Sequence, residues 1–200
     1  MTLRKPLILA SGSPRRKEIL TQAGFEFTVD PSDVECAPPG LEPVDRVREL
    51  ARSKASHIAP NHPNSIVLGA DTMVVVGDIV LGKPQTDEEA IDMLLMLQNR
   101  SHLVMTGVWV IETDEAGNVV KEDGFTDTAK VYFWGFNRAE AAEYVATGEP
   151  KDKAGAYGIQ GKGMRFARRI SGDFFTIMGL PSSRLIRFLR EFAGQIDGCT

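Results

Sequence analysis

The feature that most constrains this chain is an almost continuous apolar run from Ser65 to Val76. Apolar residues follow one another there without the polar alternation of a strand that faces solvent on one side. Such a run predicts a central strand covered on both faces. One carboxylate, Asp71, interrupts the run, and a charge there is unfavourable unless it is hydrogen-bonded, bound to a metal or used as a base. Alternatively, Asp71 ends one strand as a turn-forming residue bonded to local amides.

Helical and strand patterns occur on both sides of this run. Ser13 and Pro14 favour the start of a helix that ends at Ala23, before Gly24. The remaining pattern predicts helices at 42–59, 87–97, 138–146 and 181–192, and strands at 7–10, 25–30, 79–81, 102–112, 119–123, 125–134 and 165–170. This combination is typical of a mixed α/β fold. Because repeats and linker-like tracts are absent from the sequence, we expect a single domain over residues 1–200.

Composition and charge argue against several classes of function. A net charge of -4 and a pI near 5.5 give no field that attracts nucleic acid, so we expect a small partner held by local cations. The first apolar run, Leu7 to Ala10, is too short for a signal peptide, and no stretch approaches the roughly 18 apolar residues of a membrane span. Cys36 and Cys199 stand far apart, which gives a disulfide framework or zinc site no support. The sequence therefore predicts a cytoplasmic protein that binds neither membrane nor nucleic acid.

Two arginines at the start of the first helix indicate a bound anion. Arg15 and Arg16 fall in its first turn, where the macrodipole disfavours cations by roughly 0.3–1 kcal/mol each. The amides that follow Ser11 and Ser13 could receive phosphate oxygens, and a guanidinium would add charge-assisted hydrogen bonds. Solvated arginines beside an ordinary Ser13 cap explain the turn alone equally well. The Gly and Lys spacing of a P-loop is absent from the sequence.

Two lysines are further candidates. Lys54 lies near the centre of the apolar face of the 42–59 helix, so its ammonium must reach the surface, pair with an acid or enter a cleft. Structural pairing and ligand binding are both compatible with that position. Lys83 stands between Gly82 and Pro84, where it is either a solvated lysine or a phosphate contact. The Gly-rich segment from Gly148 to Gly163 is long for a loop without a function.

Together these residues would make a coherent site for phosphoryl chemistry. Arg15, Lys54 and Lys83 would neutralise a polyphosphate. The acids Glu35 and Asp71 would hold Mg2+ or Mn2+ and activate water. No spacing rule places these side chains together, so their convergence is an expectation.

Short segments with a characteristic order run through nearly the whole chain. They are Leu-Ala-Ser-Gly-Ser-Pro-Arg-Arg at 9–16, Glu35, Lys54-Ala55, Gly-Ala-Asp-Thr at 69–72, Leu-Gly-Lys-Pro at 81–84, Asp-Lys-Ala-Gly-Ala-Tyr-Gly-Ile-Gln-Gly at 152–161, and Gly-Leu-Pro at 179–181. Each segment alone is weak evidence. In this order they resemble the Maf family, from Leu7 to about Leu189.

The resemblance implies a fold and a function. Maf proteins are known as house-cleaning nucleotide pyrophosphatases, and some are associated with restraint of septum formation. On this basis we expect an elongated, two-lobed α/β fold with a mixed sheet and a central substrate cleft, similar to inosine triphosphate pyrophosphatase. A homodimer and a divalent cation, Mg2+ or Mn2+, are also implied.

The resemblance also implies roles for single residues. Asp71 matches the proton acceptor. The positions that set substrate preference match Arg15, Thr72 and Gln160, and the metal and phosphate set matches Glu35, Lys54 and Lys83. Segment 156–161 resembles the branch that acts on dTTP and UTP, and a Gln amide offers both the donor and the acceptor that the imide edge of thymine or uracil needs. Cys36 departs from the pattern, because many relatives carry a second acid there.

The resemblance therefore implies hydrolysis of dTTP and UTP to the monophosphate and pyrophosphate. Metal-assisted water would attack the α-phosphate, with Asp71 as the base. One alternative is a pyrophosphatase for modified purine or 7-methyl-GTP nucleotides, in which Gln160 would bind a different base edge. Another is a nucleotide sensor without turnover that regulates septum formation through a protein partner.

Overall fold

The computed structural model describes residues 1–194, 196 and 197. The helices of this part of the chain are α1 (Pro14–Gln22), α2 (Pro43–Ile58), α3 (Asp87–Leu97), α4 (Arg138–Val145), α5 (Phe174–Met178) and α6 (Ser182–Ala193). Its strands are β1 (Thr2–Leu3), β2 (Leu7–Leu9), β3 (Thr28–Val29), β4 (Ile66–Val76), β5 (Ile79–Leu81), β6 (Ser101–Thr113), β7 (Val119–Phe133), β8 (Ala167–Ser171) and β9 (Ile196–Asp197). Cys36 is exposed and free, whereas Cys199 lies outside the described residues.

Most of the strands belong to one mixed sheet with the order β3-β2-β4-β6-β7-β8, in which β5 also pairs with β4. Strand β2 pairs in parallel with β3 and β4, whereas the pairs β4–β5 and β7–β8 are antiparallel. Strands β1 and β9 form a separate antiparallel pair. The predicted mixed α/β class is confirmed. Within the described residues, no helix has the length and apolarity that crossing a membrane requires.

Strand β4 has the central position that its apolar sequence predicts, with β2 and β6 as neighbours. Every residue of β4 is buried except Asp71 and Thr72, which are half-buried. The chain continues as a strand on both sides of Asp71. The alternative that Asp71 ends a strand in a turn is therefore wrong.

The chain forms two compact units. Unit 1 contains Met1–Asp71, Thr106–Asp127 and the chain from Gly179 onward, and unit 2 contains Thr72–Met105 and Thr128–Met178. The divisions fall inside β4, β6 and β7, so each of these strands contributes residues to both units. The assignment of residues 1–200 to a single domain stays a prediction.

In unit 1, α2 covers the sheet with small and aliphatic side chains. Ala55 and Ile58 of this helix join Ile8 of β2, Val67 of β4 and Ile111 of β6 in one buried cluster. The predicted helix at 42–59 is thus confirmed, together with its apolar face. Its inward face also carries Lys54.

Unit 2 is organised by capped helices and aromatic packing. The Thr86 hydroxyl accepts a hydrogen bond from the Glu89 amide at the start of α3, and Asn137 forms a reciprocal capping box with Glu140 at the start of α4. These side chains satisfy amides that a helix start leaves unpaired. In the same unit, Phe133 packs against His102, Tyr157 and Phe166.

Three strand predictions differ from the structure by more than one residue. Segments 119–123 and 125–134 form one strand, β7, because Gly124 continues the strand against a ring: a Cβ at Gly124 would lie 2.3 Å from the side chain of Trp109. The predicted strand at 25–30 is reduced to Thr28–Val29. The strand expected from 165 begins at Ala167, because Lys162–Phe166 form a 3-10 turn.

Candidate active site

An ion pair joins α2 to β4 in unit 1. The ammonium of Lys54 lies 2.5 Å from Oδ1 of Asp71. The two side chains are only 11% and 17% exposed, so each charge has lost much of its hydration and depends on the other for compensation. Two residues that the sequence selected on separate grounds therefore meet.

Two glycines explain how α2 comes close enough to form this pair. A Cβ at Gly69 of β4 would lie 2.1 Å from the carbonyl oxygen of Ala51, and a Cβ at Gly107 of β6 would lie 2.3 Å from that of Val47. Because residues i and i+2 of a strand face the same side, Gly69 and Asp71 both face the helix. The close approach at Gly69 places the α2 backbone beside the Asp71 carboxylate.

The turn between β2 and α1 is held by Arg16. Its Nε donates to the carbonyl oxygen of Gly179 and its Nη1 donates to Oγ of Ser11, both at 2.9 Å. Oγ of Ser11 also accepts a hydrogen bond from the Ser13 amide at 3.3 Å. Ser13 occupies the N-cap position of α1 as predicted, but its side chain makes no capping hydrogen bond. The interpretation of Ser13 as an ordinary side-chain cap is therefore wrong.

The charge of Asp71 extends to this turn. Burial lowers the pKa of Arg16, the negative charge of Asp71 opposes that effect, and the neighbouring charge of Arg15 adds to it. Asp71 is therefore within electrostatic range of Arg16 while it contacts Lys54. The carboxylate of Asp71 thus interacts with two cations, Lys54 and Arg16, and Arg15 adds positive charge beside Arg16. This excess of positive charge favours a bound polyanion.

The other predicted substrate residues belong to unit 2. Thr72 directly follows Asp71 on β4 and is half-buried. Lys83 is exposed after β5, and Gln160 is exposed between the 3-10 turns Ala154–Ala156 and Lys162–Phe166. Whether these three side chains join the cations of unit 1 around one ligand stays a prediction.

Comparison with known proteins decides the family. The model of the family described as Maf-like protein matches residues 6–192. The chain belongs to the Maf-like proteins. It is 45% identical over 193 residues to the dTTP/UTP pyrophosphatase of Bacillus mycoides (strain KBAB4), covering 96% of this chain and 98% of that protein. It is also 46% identical over 188 residues to the dTTP/UTP pyrophosphatase of Geobacillus sp. (strain WCH70), covering 94% of this chain and 98% of that protein.

The chain is also similar to a protein of known structure. The Ham1 protein of Staphylococcus aureus superposes with a TM-score of 0.46 and 17% sequence identity, and the match covers 94% of this Maf-like chain and 99% of that chain.

The acids of this Maf-like protein suit a divalent cation that arrives with a polyphosphate. Glu35 lies exposed in the loop between β3 and α2, and Asp71 is half-buried on β4. Among the residues that the structure describes, no three His, Cys, Asp or Glu side chains form a cluster that could hold a metal. Mg2+ usually binds through one or two carboxylates plus substrate phosphates rather than in an all-protein cage. Asp71 therefore fits a metal shared with the substrate, whereas participation of Glu35 stays a prediction.

Sequence reasoning missed the contacts of Arg16 and Glu149. Arg16 was considered only as a partner of Arg15, although it makes the contacts that fix the turn. Glu149 stands at the start of the Gly-rich loop, where its carboxylate accepts hydrogen bonds from the Tyr144 hydroxyl and from backbone amides. An acid inside a glycine-rich segment was the only available signal, because contacts between a carboxylate and backbone amides follow no spacing rule.

Proposed function

We propose that this Maf-like protein hydrolyses dTTP and UTP to the nucleoside monophosphate and pyrophosphate. The observation that carries the proposal is the Lys54–Asp71 pair, in which a carboxylate on a buried strand contacts one cation and lies within electrostatic range of a second, Arg16. The names of the two bacterial relatives support this substrate class, because they align along almost the whole chain.

In the proposed reaction, Asp71 takes a proton from water as the water oxygen bonds to the α-phosphorus. The bond from the α-phosphorus to the bridging oxygen breaks, and pyrophosphate leaves with the electron pair. Lys54 orients the carboxylate of Asp71 and supplies positive charge near the reacting phosphate. Asp71 and Glu35 would hold Mg2+ or Mn2+, which would lower the pKa of the water and neutralise phosphate charge.

The remaining predicted residues bind the substrate in this proposal. Arg15 and the amides of the Ser11–Ser13 turn take phosphate oxygens, and Lys83 adds a further phosphate contact. Thr72 and Gln160 select the base, since the Gln amide can donate to a carbonyl oxygen and accept from an imide N–H at the same edge.

A panel of triphosphates at equal concentration tests the proposed function. dTTP, UTP, CTP, GTP, dITP and 7-methyl-GTP are each offered with Mg2+ or Mn2+, and pyrophosphate and orthophosphate are measured separately. We expect pyrophosphate as the first product, formed fastest from dTTP and UTP. Preference for 7-methyl-GTP or dITP would favour the purine alternative, and thermal stabilisation without any turnover would favour a sensor. Orthophosphate as the first product would contradict attack at the α-phosphorus.

We also propose that the chain acts as a single domain in a cytoplasmic homodimer that removes unwanted nucleotides from the pool. The match of one family model from residue 6 to residue 192 supports a single domain. Sedimentation velocity gives the oligomeric state: a monomer at micromolar concentration would contradict the dimer.

A further inference from the structure

The segment that carries Gln160 is fixed by one carboxylate. Oε1 of Glu149 accepts from the Tyr144 hydroxyl at 2.8 Å and from the Gly163 amide at 3.2 Å. Oε2 of Glu149 accepts from the Lys162 amide at 2.8 Å. The carboxylate of Glu149 therefore accepts hydrogen bonds from three donors. Two of them, the Lys162 and Gly163 amides, are distant from Glu149 in sequence.

The hydroxyl of Tyr144 extends this network to the other end of the segment. It accepts a hydrogen bond from the Gly158 amide at 3.0 Å while it donates to Glu149. The Tyr144 side chain is fully buried and its ring packs edge-on against Phe166. The Glu149–Tyr144 pair thus holds both ends of the pentapeptide 158–162, whose middle residue is Gln160.

The glycines of the segment are required by this network. A Cβ at Gly158 would lie 2.9 Å from Oε1 of Glu149, and one at Gly161 would lie 2.5 Å from the same atom. A Cβ at Gly163 would lie 2.8 Å from the Tyr144 hydroxyl. At these three glycines the backbone lies too close to the Glu149 carboxylate or the Tyr144 hydroxyl to leave room for a side chain.

The neighbours of Gln160 are turned inward. Tyr157 and Ile159 are buried, and the Tyr157 hydroxyl lies 2.8 Å from Nε2 of the buried His102. Gln160 is exposed. The segment therefore presents the glutamine amide from a turn that is anchored on both sides.

The protonation states suit these contacts. Burial alone would raise the pKa of Glu149, but hydrogen bonds from the Lys162 amide, Tyr144 and the Gly163 amide, with the charge of Lys153, bring that pKa below its ordinary value. Burial raises the pKa of Tyr144, and the hydrogen bond to Glu149 adds to this effect. At neutral pH Glu149 is therefore an ionised acceptor and Tyr144 a neutral donor.

We propose that Glu149 and Tyr144 are positioning residues for base selection, because they fix the place from which Gln160 meets the base. This inference rests on the proposed function. A mobile glutamine can turn its amide over and match cytosine, whose edge has donor and acceptor exchanged relative to uracil. A glutamine on a fixed turn offers its oxygen and nitrogen at set positions, so selection of uracil over cytosine depends on the turn.

The test measures the ratio of kcat/KM for UTP to kcat/KM for CTP in Glu149→Gln, Tyr144→Phe and Gln160→Ala. The amide in Glu149→Gln turns one acceptor oxygen into a donor that faces a backbone N–H, and Tyr144→Phe removes the link to the Gly158 amide. We expect each variant to lower the ratio about tenfold or more, with KM for UTP rising more than kcat falls. The matched control is Glu143→Gln on α4, whose exposed carboxylate pairs with Arg165, and it should keep the wild-type ratio.

Coupling to Gln160 separates positioning from a general loss of stability. The double variant Glu149→Gln/Gln160→Ala should have the same ratio as Gln160→Ala alone, because a carboxylate that acts through Gln160 has nothing left to position. Additive losses, or wild-type ratios in folded Glu149→Gln and Tyr144→Phe, would overturn the inference. If Glu149→Gln does not fold, Tyr144→Phe with and without Gln160→Ala gives the same test. A wild-type protein that hydrolyses no triphosphate would overturn the proposed function and this role with it, whereas an active, selective wild type with unaltered variants would overturn this role alone.

Discussion

Some residues of the candidate site have both a structural and a proposed chemical role. Asp71 sits within a buried strand, and the 2.5 Å contact with Lys54 compensates its charge. A phosphate that enters this cluster would compete with Asp71 for the Lys54 ammonium. The two interpretations of Lys54, structural pairing and ligand binding, are therefore compatible.

Replacement of Asp71 tests its role as a base. We expect Asp71→Asn to lower kcat for dTTP by about 10²–10⁴-fold, the usual range for loss of a general base, while dTTP still binds. The rate of pyrophosphate release and the Kd from calorimetry measure the two effects. Asp78→Asn, in the exposed turn between β4 and β5, is the control. Wild-type turnover in Asp71→Asn would remove Asp71 from the reaction.

His102 makes the stability of the fold depend on pH. Burial lowers its pKa from 6.5 to about 4, so the unfolded chain takes up a proton between these values that the folded chain excludes. The free energy of unfolding should therefore fall as the pH drops from about 6.5 to about 4, with about 3 kcal/mol of the change due to His102. Urea unfolding across this range in His102→Gln should show a shallower dependence, whereas His57→Gln, an exposed histidine, should match the wild type. Parallel curves for His102→Gln and the wild type would exclude His102 as the cause.

At the scale of elements, the contact of α2 with the sheet depends on glycines at positions where any larger residue would clash with the helix backbone. We expect Gly69→Ala to lower the free energy of unfolding by about 1–3 kcal/mol or more, because its Cβ would meet the Ala51 carbonyl oxygen at 2.1 Å. The variant should also lose activity, since a displaced α2 carries Lys54 away from Asp71. Gly82→Ala is the matched control for stability, because nothing lies within 4 Å of its Cβ position. Equal urea midpoints for the two variants would show that the close approach is not required.

The sequence predicted elements well where local rules govern them. The apolar stripe of residues 87–97 predicted the observed bounds of α3, and the apolar run predicted β4 to within one residue. Gly124 was interpreted as a break, because only the nearby ring of Trp109 shows why a strand contains glycine there. The two-residue pair β1–β9 joins the ends of the chain and has no local pattern.

The sequence predicted which residues belong to the candidate site, but it did not predict the contacts between them. Charge in an apolar context identified Asp71 and Lys54, and family resemblance suggested Gln160. Hydrogen bonds to backbone groups escaped prediction, because any carbonyl or amide can take part in them. The hydrogen bonds of Arg16 with the Gly179 carbonyl and of Glu149 with the Lys162 amide are of this kind.

At the scale of the whole molecule, the proposal of a single domain has a direct spectroscopic test. Strands β4, β6 and β7 contribute residues to both units, so unfolding one unit alone would end three strands in mid-run. We therefore expect both units to unfold in one transition. The chain has two tryptophans, and Trp109 belongs to unit 1 whereas Trp134 belongs to unit 2.

Variants with one tryptophan report on each unit separately. Trp134→Phe leaves Trp109, whose indole N–H donates to Glu122, and Trp109→Phe leaves Trp134, whose ring lies under the guanidinium of Arg168. Urea midpoints from fluorescence should agree with those from circular dichroism within each variant, as two-state unfolding requires. Because a substitution can itself shift stability, this agreement within a variant, rather than between variants, is the criterion. A fluorescence transition that precedes the loss of ellipticity in either variant would mean that its unit unfolds independently, and the chain would then consist of two domains.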